Sequence, residues 1–272
     1  MKKTNWLHDL TWKEAEELFK KTEVAIIPMG STETHGPHNP LGTDFFTAQE
    51  VAKRVGEKCD VVVAPPIPIG WSPYQMDFPG SMTFTRQTVE KILEEMVECL
   101  MKWGIKRFIF LSGHGGNLDA MESVGLRLRR KYGVMCVVPR WFRAEIDESI
   151  PELNEIFPFH DHGGQKETSL NMAIDKERVR LDLYKPPKLG QQLSDKIFLR
   201  RGMQFGKGSI GGRFFMSDVS DQGFFEAPDF PASEASEAKG NKYLDILTTY
   251  LAEFIEEFKK IDMLPQEPSV SS

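Results

Sequence analysis

Short apolar runs rich in Val, Ile and Phe recur along the chain, and stretches with helical spacing separate them. The runs predict buried strands at residues 24–28, 61–64, 108–111 and 134–138. The helical spacing predicts helices at residues 45–55, 88–103 and 118–131. Strands that alternate with helices of this length form right-handed βαβ units. We therefore predict an α/β fold in a single domain, with a mostly parallel central sheet and helices on both of its faces.

The second half of the chain is less regular. Residues 185–231 are rich in Gly, Phe and Ser and have no sustained period, which predicts loops or a short antiparallel element. A last helix is predicted from about residue 232 to 260, followed by a polar tail. We assign residues 1–262 to the domain and expect residues 263–272 to be disordered.

Composition limits the classes of partner. The chain has 272 residues, is 40% hydrophobic and 27% charged, and carries a net charge of −6, which argues against nucleic acid or an anionic membrane as its main partner. No apolar run approaches the ~20 residues that span a bilayer, and the first residues do not resemble a signal peptide. The chain has an odd number of cysteines, three, and each has apolar neighbours: Cys59, Cys99 and Cys136. We expect them to be reduced and buried in a cytoplasmic protein.

Five of the six histidines lie in three short segments, at residues 30–44, 112–117 and 160–169. The same segments contain acids. Together these segments hold Glu33, His35, His38, Asp44, His114, His160, Asp161, His162 and Glu167. Histidine and carboxylate are usual ligands of zinc and similar ions, and usual acids and bases of hydrolysis. The clustering predicts a metal-dependent enzyme.

Two of the segments follow predicted strands. Glu33 and His35 come after the first strand and His114 after the third, beyond the carboxyl ends where open α/β sheets build their sites. Asp44 stands at the start of the next helix, where its carboxylate could bridge two metals about 3.5–4 Å apart. The alternative is that Asp44 is a helix N-cap and that Glu33 and His35 are polar loop residues.

The second and third segments also allow two interpretations each. The glycines around His114 could make a phosphate-binding or merely tight turn, but the Lys or the G-x-G-x-x-G spacing of phosphate loops is absent. His162 and Glu167 are separated by a two-glycine turn, which suits an acid–base pair. The alternative there is a helix start capped by Thr168 or Ser169. His38 and His160 could equally be loop hydrogen-bonders.

The three segments together resemble the creatininase family. GSTETHGPHNPLGTD, GHGGN and HGGQKETS follow the family's order and spacing, and GWSPYQMDFPGSMTF (residues 70–84) is similar to its substrate-side loop. By position, the resemblance implies metal ligands at Glu33, His35, Asp44 and His114, with Asp44 as the bridge.

The resemblance also implies the rest of the site. It places the catalytic residues His162 and Glu167 beside the substrate. Either Glu167 completes the shell of a second metal, or only one metal binds tightly. We assign substrate binding to Ser72, Gln75, Gly115 and Asp161. The implied cofactor is a divalent metal, two ions per subunit of Zn, Mn or Fe, and the implied assembly is a homohexamer.

The chain departs from the family pattern, or from creatininase itself, at three places. Gly116 replaces a glutamate that binds the second metal, Gln75 replaces a histidine, and Pro158 and Phe159 stand where creatininase has a tryptophan. Because these changes lie near the expected substrate, we do not expect creatinine to be the substrate.

The sequence therefore predicts a metal-dependent hydrolase in which activated water attacks a carbonyl of a small polar, cyclic substrate. Cleavage of an amide C–N bond is the default. One alternative is ring-opening C–C hydrolysis of a keto-cyclitol in carbohydrate catabolism. An alternative of another class is a non-catalytic protein that binds metal or carbohydrate.

Overall fold

A four-stranded, entirely parallel sheet forms the centre of the computed structural model, which describes residues 5–141, 149–199 and 202–265. In chain order the strands are β1 (Val24–Met29), β2 (Val62–Val63), β3 (Arg107–Ser112) and β4 (Met135–Val137). Their order across the sheet is β2-β1-β3-β4. Met29 pairs with Ser112, so β1 and β3 end at the same level.

The sheet is surrounded by α-helices, and the four predicted helices are among them. In the described part of the chain these are α1 (Trp12–Phe19), α2 (Thr43–Lys58), α3 (Arg86–Met101), α4 (Leu118–Tyr132), α5 (Pro151–Ile156), α6 (Gln165–Asp175), α7 (Met216–Val219) and α8 (Glu237–Lys260). Strand and helix positions agree with the predictions to within a few residues at each end. None of the described helices is long and apolar enough to cross a membrane.

Side chains alternate across β1 and divide the interior into two cores. Val24 and Ile26 pack with residues of α2 and α8 on one face. Ala25 and Ile27 pack with residues of α3 and α4 on the other. Burial of both faces explains why the strands are continuous apolar runs. The predicted α/β fold, with helices on both faces of a parallel sheet, is confirmed.

The irregular region contains the short antiparallel element that was one of its two interpretations. Its strands are β5 (Gln191–Ser194), β6 (Ile197–Leu199), β7 (Met203–Phe205) and β8 (Gly208–Ile210), in sequential order. Helix α7 follows and leads the chain back towards the main sheet.

The predicted start of the last helix is wrong. Residues Ala232–Glu234 form a separate 3₁₀ turn, and the extended Ser236 precedes α8. Packing explains the break, because the backbone N–H of Ser236 donates to Ser169 Oγ at 3.0 Å. A Cβ at Gly240 would lie 2.0 Å from Ser169 O, so α8 lies directly against α6.

Two smaller predictions also need correction. Thr168 and Ser169 do not cap a helix, because α6 begins at Gln165 with Gly164 at its N-cap. Ser169 Oγ instead donates to Gln165 O, one turn back. All three thiols are free, but Cys99 is exposed and Cys59 and Cys136 are only partly buried. Of the predicted tail, residues 266–272 lie outside the described residues.

Candidate metal centre

Two glycines bring the start of α2 against the ends of the central strands. A Cβ at Gly30, directly after β1, would lie 2.3 Å from the Phe45 backbone. A Cβ at Gly113, directly after β3, would lie 2.0 Å from Asp44 O. Only residues without a side chain allow this approach. It places Asp44, the second residue of α2, at the carboxyl edge of the sheet, and Gly42 rather than Asp44 is the N-cap.

Glu33, Asp44 and His114 form the first group of potential ligands. Nδ1 of His114 lies 3.1 Å from Asp44 Oδ2 and 3.3 Å from Glu33 Oε2. All three side chains are buried. One ligand atom from each lies within 4.8 Å of the others, a spacing that could hold a metal ion.

His35, Asp44 and Glu167 form a second group of the same kind. Nε2 of His35 lies 3.0 Å from Asp44 Oδ1 and 3.5 Å from Glu167 Oε2. Glu167 is held in place by the backbone N–H of Gly163, which donates to its Oε2 at 2.6 Å. The two oxygens of Asp44 therefore face different groups, as a carboxylate between two ions would.

Backbone carbonyls fix which nitrogen of each imidazole faces the carboxylates. Nδ1 of His35 lies 3.1 Å from Glu33 O, and Nε2 of His114 lies 3.2 Å from Trp71 O. Because a carbonyl only accepts, these nitrogens carry protons and donate. The other nitrogen of each ring is left to face the acids. Metal-binding histidines are commonly oriented in this way by a second hydrogen bond.

His162 lies beside both groups. Its Nε2 donates to Thr34 O at 2.7 Å, and its Nδ1 lies 4.0 Å from Glu33 Oε1. Its ring centroid is 4.2 Å from that of His35. A third group of Glu33, His35 and His162 also has the spacing of metal ligands. The geometry thus permits either a proton-transfer or a ligand role for His162.

Two buried oxygens test whether a cation fits this centre. Among the residues that the structure describes, Glu33 Oε2 and Asp44 Oδ2 accept no hydrogen bond. A buried carboxylate oxygen without a partner is costly unless a cation neutralises it. The histidine and carboxylate donors also match the preferences of zinc, manganese and iron. The residues present fit a divalent metal.

Two histidines of the centre have raised pKa values, which shows that the buried carboxylates favour a positive charge nearby. Burial alone would lower the pKa of His35, but the carboxylates of Asp44 and Glu167 raise it to about 10. Burial likewise opposes protonation of His114, whose pKa is nevertheless raised well above its ordinary value, mainly by Glu33. Protons on these rings supply charge that a bound cation would supply instead.

The pKa values of three other groups of the centre are shifted in different directions. Burial raises the pKa of Glu167 to about 7, against the lowering effect of His35. Burial would also raise the pKa of Glu33, but the nearby His114 lowers it below its ordinary value. Burial and the adjacent His35 lower the pKa of His162 to about 4.

The centre opens into a cavity of about 440 Å³. This volume suits a small molecule. The cavity is lined by polar groups of the centre and by residues of the segment that follows the antiparallel sheet. The lining residues are Glu33, Asp44, Tyr74, Gln75, Gly113, His114, Gly115, His160, Asp161, His162, Glu167, Gly212, Arg213, Phe214, Met216, Val219 and Phe225.

Three of the four residues assigned to substrate binding reach this cavity. Gly115 and Asp161 line it, and so does Gln75, whose Nε2 donates to Glu33 Oε1 at 3.4 Å. Ser72 is fully buried and is absent from the described lining. Its backbone N–H donates to Thr83 Oγ1, which ties the residue to its own loop.

Two further histidines have clear surroundings. His38 lies outside the ligand groups, and its Nε2 donates to Gly163 O at 2.9 Å. This hydrogen bond links the first and third segments. The His38 ring also packs edge-on against Phe224. His160 lines the cavity without joining a ligand group in the described chain.

The family model of the creatininases, described as creatinine amidohydrolase, matches residues 8–255. The chain belongs to the creatininase family. This confirms the membership that the three sequence segments predict.

Curated relatives of the chain have different substrates in their names. A mycofactocin precursor peptide peptidase of Mycolicibacterium smegmatis is 33% identical over 62% of this chain and 64% of its own length. A creatinine amidohydrolase of Pseudomonas putida is 28% identical over 67% of this chain and 76% of its own. A 3-dehydro-scyllo-inosose hydrolase of Thermotoga maritima is 28% identical over 63% and 57%. The chain spans less than two thirds of the first and third of these relatives.

Solved creatininases share the fold. A creatinine amidohydrolase structure has a TM-score of 0.77 at 22% identity, over 96% of this chain and all 100% of that one. A Zn–Zn form gives 0.74 at 24% identity, and it covers 95% of this chain and 100% of that one. A manganese form gives 0.72 at 22% identity with the same coverage.

Gly116, the departure from creatininase in the second segment, lies where no side chain fits. A Cβ there would lie 2.3 Å from His114 Nε2, 2.4 Å from Trp71 O and 2.8 Å from the Tyr74 hydroxyl. That hydroxyl is 3.1 Å from His114 Nε2. The loop before α3 therefore occupies the space that a longer residue at position 116 would need. No sequence pattern indicates these contacts, except that Tyr74 stands next to Gln75.

Proposed function

We propose that this creatininase-family chain is a divalent-metal-dependent hydrolase that attacks a carbonyl carbon of a small polar substrate. The observation that carries the proposal is the position of Asp44, whose two oxygens face two separate groups of potential ligands. We assign Glu33 and His114 to one ion and His35 and Glu167 to the other, with Asp44 shared. Glu167 then supplies the carboxylate that, in creatininase, comes from a glutamate at the position of Gly116.

Held by these residues, divalent ions would supply Lewis-acid charge for the activation of water near neutral pH and the polarisation of a carbonyl. Zinc and manganese are the first candidates, because related solved creatininases are Zn–Zn and Mn forms. Thr34 O and Trp71 O orient the rings of His162 and His114 through the hydrogen bonds described above. The cavity residues Gln75, Gly115 and Asp161 contact the substrate.

His162 is the proton carrier in this proposal. Because its Nε2 proton is held by Thr34 O, Nδ1 is the nitrogen that can accept a proton and pass it to the leaving group. Gln75 lies 3.1 Å from Nε2 and restricts rotation of the ring. Glu167 has a ligand role here, and its contact with the N–H of Gly163 fixes the turn that carries His162.

Hydrolysis of an amide C–N bond is the first candidate reaction. Ring-opening C–C hydrolysis of a keto-cyclitol is the second, and the Thermotoga maritima relative named for an inosose supports it. The polar cavity groups Tyr74, Gln75 and His160 suit the hydroxyls of such a ring. A purely binding protein is disfavoured, because binding alone does not require an unmetallated histidine nitrogen beside the ligand groups.

A substrate panel tests the proposal. The metal-loaded protein is assayed on lactams, formamides and keto-cyclitols, with and without a chelator, and the products are identified by mass spectrometry. We expect turnover of one class, lost with the chelator and restored by metal. Ligand binding without turnover of any class, whether metal is present or not, would overturn the proposal.

We further propose a hexamer in the cytoplasm. Leu193, Phe205, Ile210 and Phe215, in and after the antiparallel sheet, are each roughly half exposed, which is an aggregation liability on a monomer. The three free cysteines suit a reducing compartment. Light scattering is expected to give about six times the 31.0 kDa chain mass, and a monomer would contradict the assembly.

A further inference from the structure

Arg213 introduces a positive charge into a cavity that is otherwise acidic. It lies in the segment between β8 and α7 and lines the same cavity as the ligand groups. Four carboxylates line this cavity, from Glu33, Asp44, Asp161 and Glu167. Among the described residues of the lining, Arg213 is the one lysine or arginine.

The guanidinium lies over two aromatic rings. Its central carbon lies 4.8 Å from the ring centroid of Trp71 and 5.4 Å from that of Tyr74. The Tyr74 ring in turn stacks on His114, with centroids 6.2 Å apart and planes inclined by 26°. The Tyr74 ring thus lies between Arg213 and His114, a proposed metal ligand. One small molecule can reach both the guanidinium and the metal centre.

The hydrogen-bonding capacity of Arg213 is largely unused. In the described part of the chain it donates no hydrogen bond, and its one ion pair is with Asp119 at 3.8 Å. The side chains of both partners are about half exposed. A pair at this distance and exposure contributes little and is easily exchanged. A guanidinium has five N–H donors in a planar fork that matches a carboxylate.

From these contacts we infer that Arg213 binds a carboxylate of the substrate while the carbonyl to be attacked lies at the metal centre. The inference rests on the proposed hydrolase function and adds a substrate class to it: small carbonyl compounds with a free carboxylate. A carboxylate is favoured over a phosphate because one guanidinium balances one negative charge. A doubly charged phosphate would keep a net negative charge after it pairs with one guanidinium.

A binding measurement tests Arg213 without depending on turnover. The metal-loaded full-length protein is titrated with 5-oxohexanoate and with 5-oxohexanamide, which share a ketone carbonyl and differ only in that the one carboxylate becomes an amide. We expect wild type to bind 5-oxohexanoate about tenfold more tightly or better, as for a charge-assisted bidentate contact. Arg213→Gln is expected to lose this preference. Arg130→Gln, the same charge change at an exposed position on α4, is expected to keep it.

The outcomes separate the two proposals. Equal binding of the two probes by wild type, or a preference that survives in Arg213→Gln, would overturn the inference. Tighter binding of 4-oxopentylphosphonate than of 5-oxohexanoate, lost in Arg213→Gln, would overturn the carboxylate assignment. A retained 5-oxohexanoate preference with no hydrolysis of any panel compound would contradict the hydrolase proposal instead. Circular dichroism of each variant confirms that it is folded.

Discussion

Asp44 Oδ1 lies 3.0 Å from Nε2 of His35, while the other oxygen of the same carboxylate faces a different group of ligands. This division follows from the backbone, because Gly30 and Gly113 let the first turn of α2 lie against the strand ends. The proposed two-metal centre requires that the two oxygens of Asp44 face different groups. A carboxylate with both oxygens on one ion would leave the second group short of a ligand.

Replacement of Glu167 tests the composition of the second group. Glu167→Gln keeps the size of the side chain but removes the charge of a proposed ligand. We expect the metal content to fall from two ions per chain to about one, because the group of Glu33, Asp44 and His114 is intact. Elemental analysis measures the content, and exposed Glu57→Gln serves as the matched control. Two ions retained in Glu167→Gln would exclude Glu167 as a ligand.

Replacement of Gly116 tests the packing around His114. In Gly116→Ala the new Cβ would lie 2.3 Å from His114 Nε2 and 2.4 Å from Trp71 O, so the ring must move. We expect a loss of about 1–3 kcal/mol in the free energy of unfolding, as for overpacked sites. Weaker metal binding is expected as well. Denaturant unfolding and metal titration measure the two effects.

Gly211→Ala is the control for that variant, because a Cβ there would have no heavy atom within 4 Å. We expect it to match wild type in both measurements. Gly116→Ala with unchanged stability and metal affinity would show that the space beside His114 is not needed.

Several features of this centre could be predicted from the sequence and others could not. Glu33 and His114 follow apolar runs, so their place beyond the ends of parallel strands could be inferred from the pattern alone. The contacts of His114 with Trp71 O and the Tyr74 hydroxyl could not, because they join residues about 40 positions apart. Such contacts depend on how a loop packs, which local spacing does not encode.

Local patterns also did not indicate the surroundings of two residues. Ser72 is three residues from Gln75 in one motif, yet the 3₁₀ turn Pro73–Gln75 places only Gln75 of these two in the described cavity lining. Thr168 has the composition of a helix cap, but its Oγ1 accepts from Asn39 Nδ2 at 2.9 Å inside α6. Long-range partners decide both positions.

Replacement of His162 tests its proton-transfer role. His162→Gln is expected to lower kcat by about 10²–10⁴ and to leave the metal content near that of wild type. The reason is that Nδ1 is placed to carry a proton while the other two groups supply the ligands. Surface His8→Gln is the control. If His162→Gln loses metal together with activity, His162 is a ligand and Glu167 becomes the candidate proton carrier.

The cysteines allow a test of burial. Burial raises the pKa of Cys136 to about 12 and that of Cys59 to about 11, so both are almost entirely protonated at pH 8. The thiolate is the reactive form, and a raised pKa therefore slows alkylation. We expect iodoacetamide to modify exposed Cys99 alone in the native protein and all three thiols after denaturation. Mass spectrometry would contradict this if Cys136 were modified as fast as Cys99.

The metal content of Asp44→Asn tests the central claim most directly. The substitution preserves size and removes the charge that the account assigns to both ions. Elemental analysis is expected to show two ions per chain in wild type and in the exposed control Asp229→Asn, and less than half of one ion in Asp44→Asn. Full metal retention in folded Asp44→Asn, or loss of a single ion, would contradict a centre in which Asp44 bridges two metals.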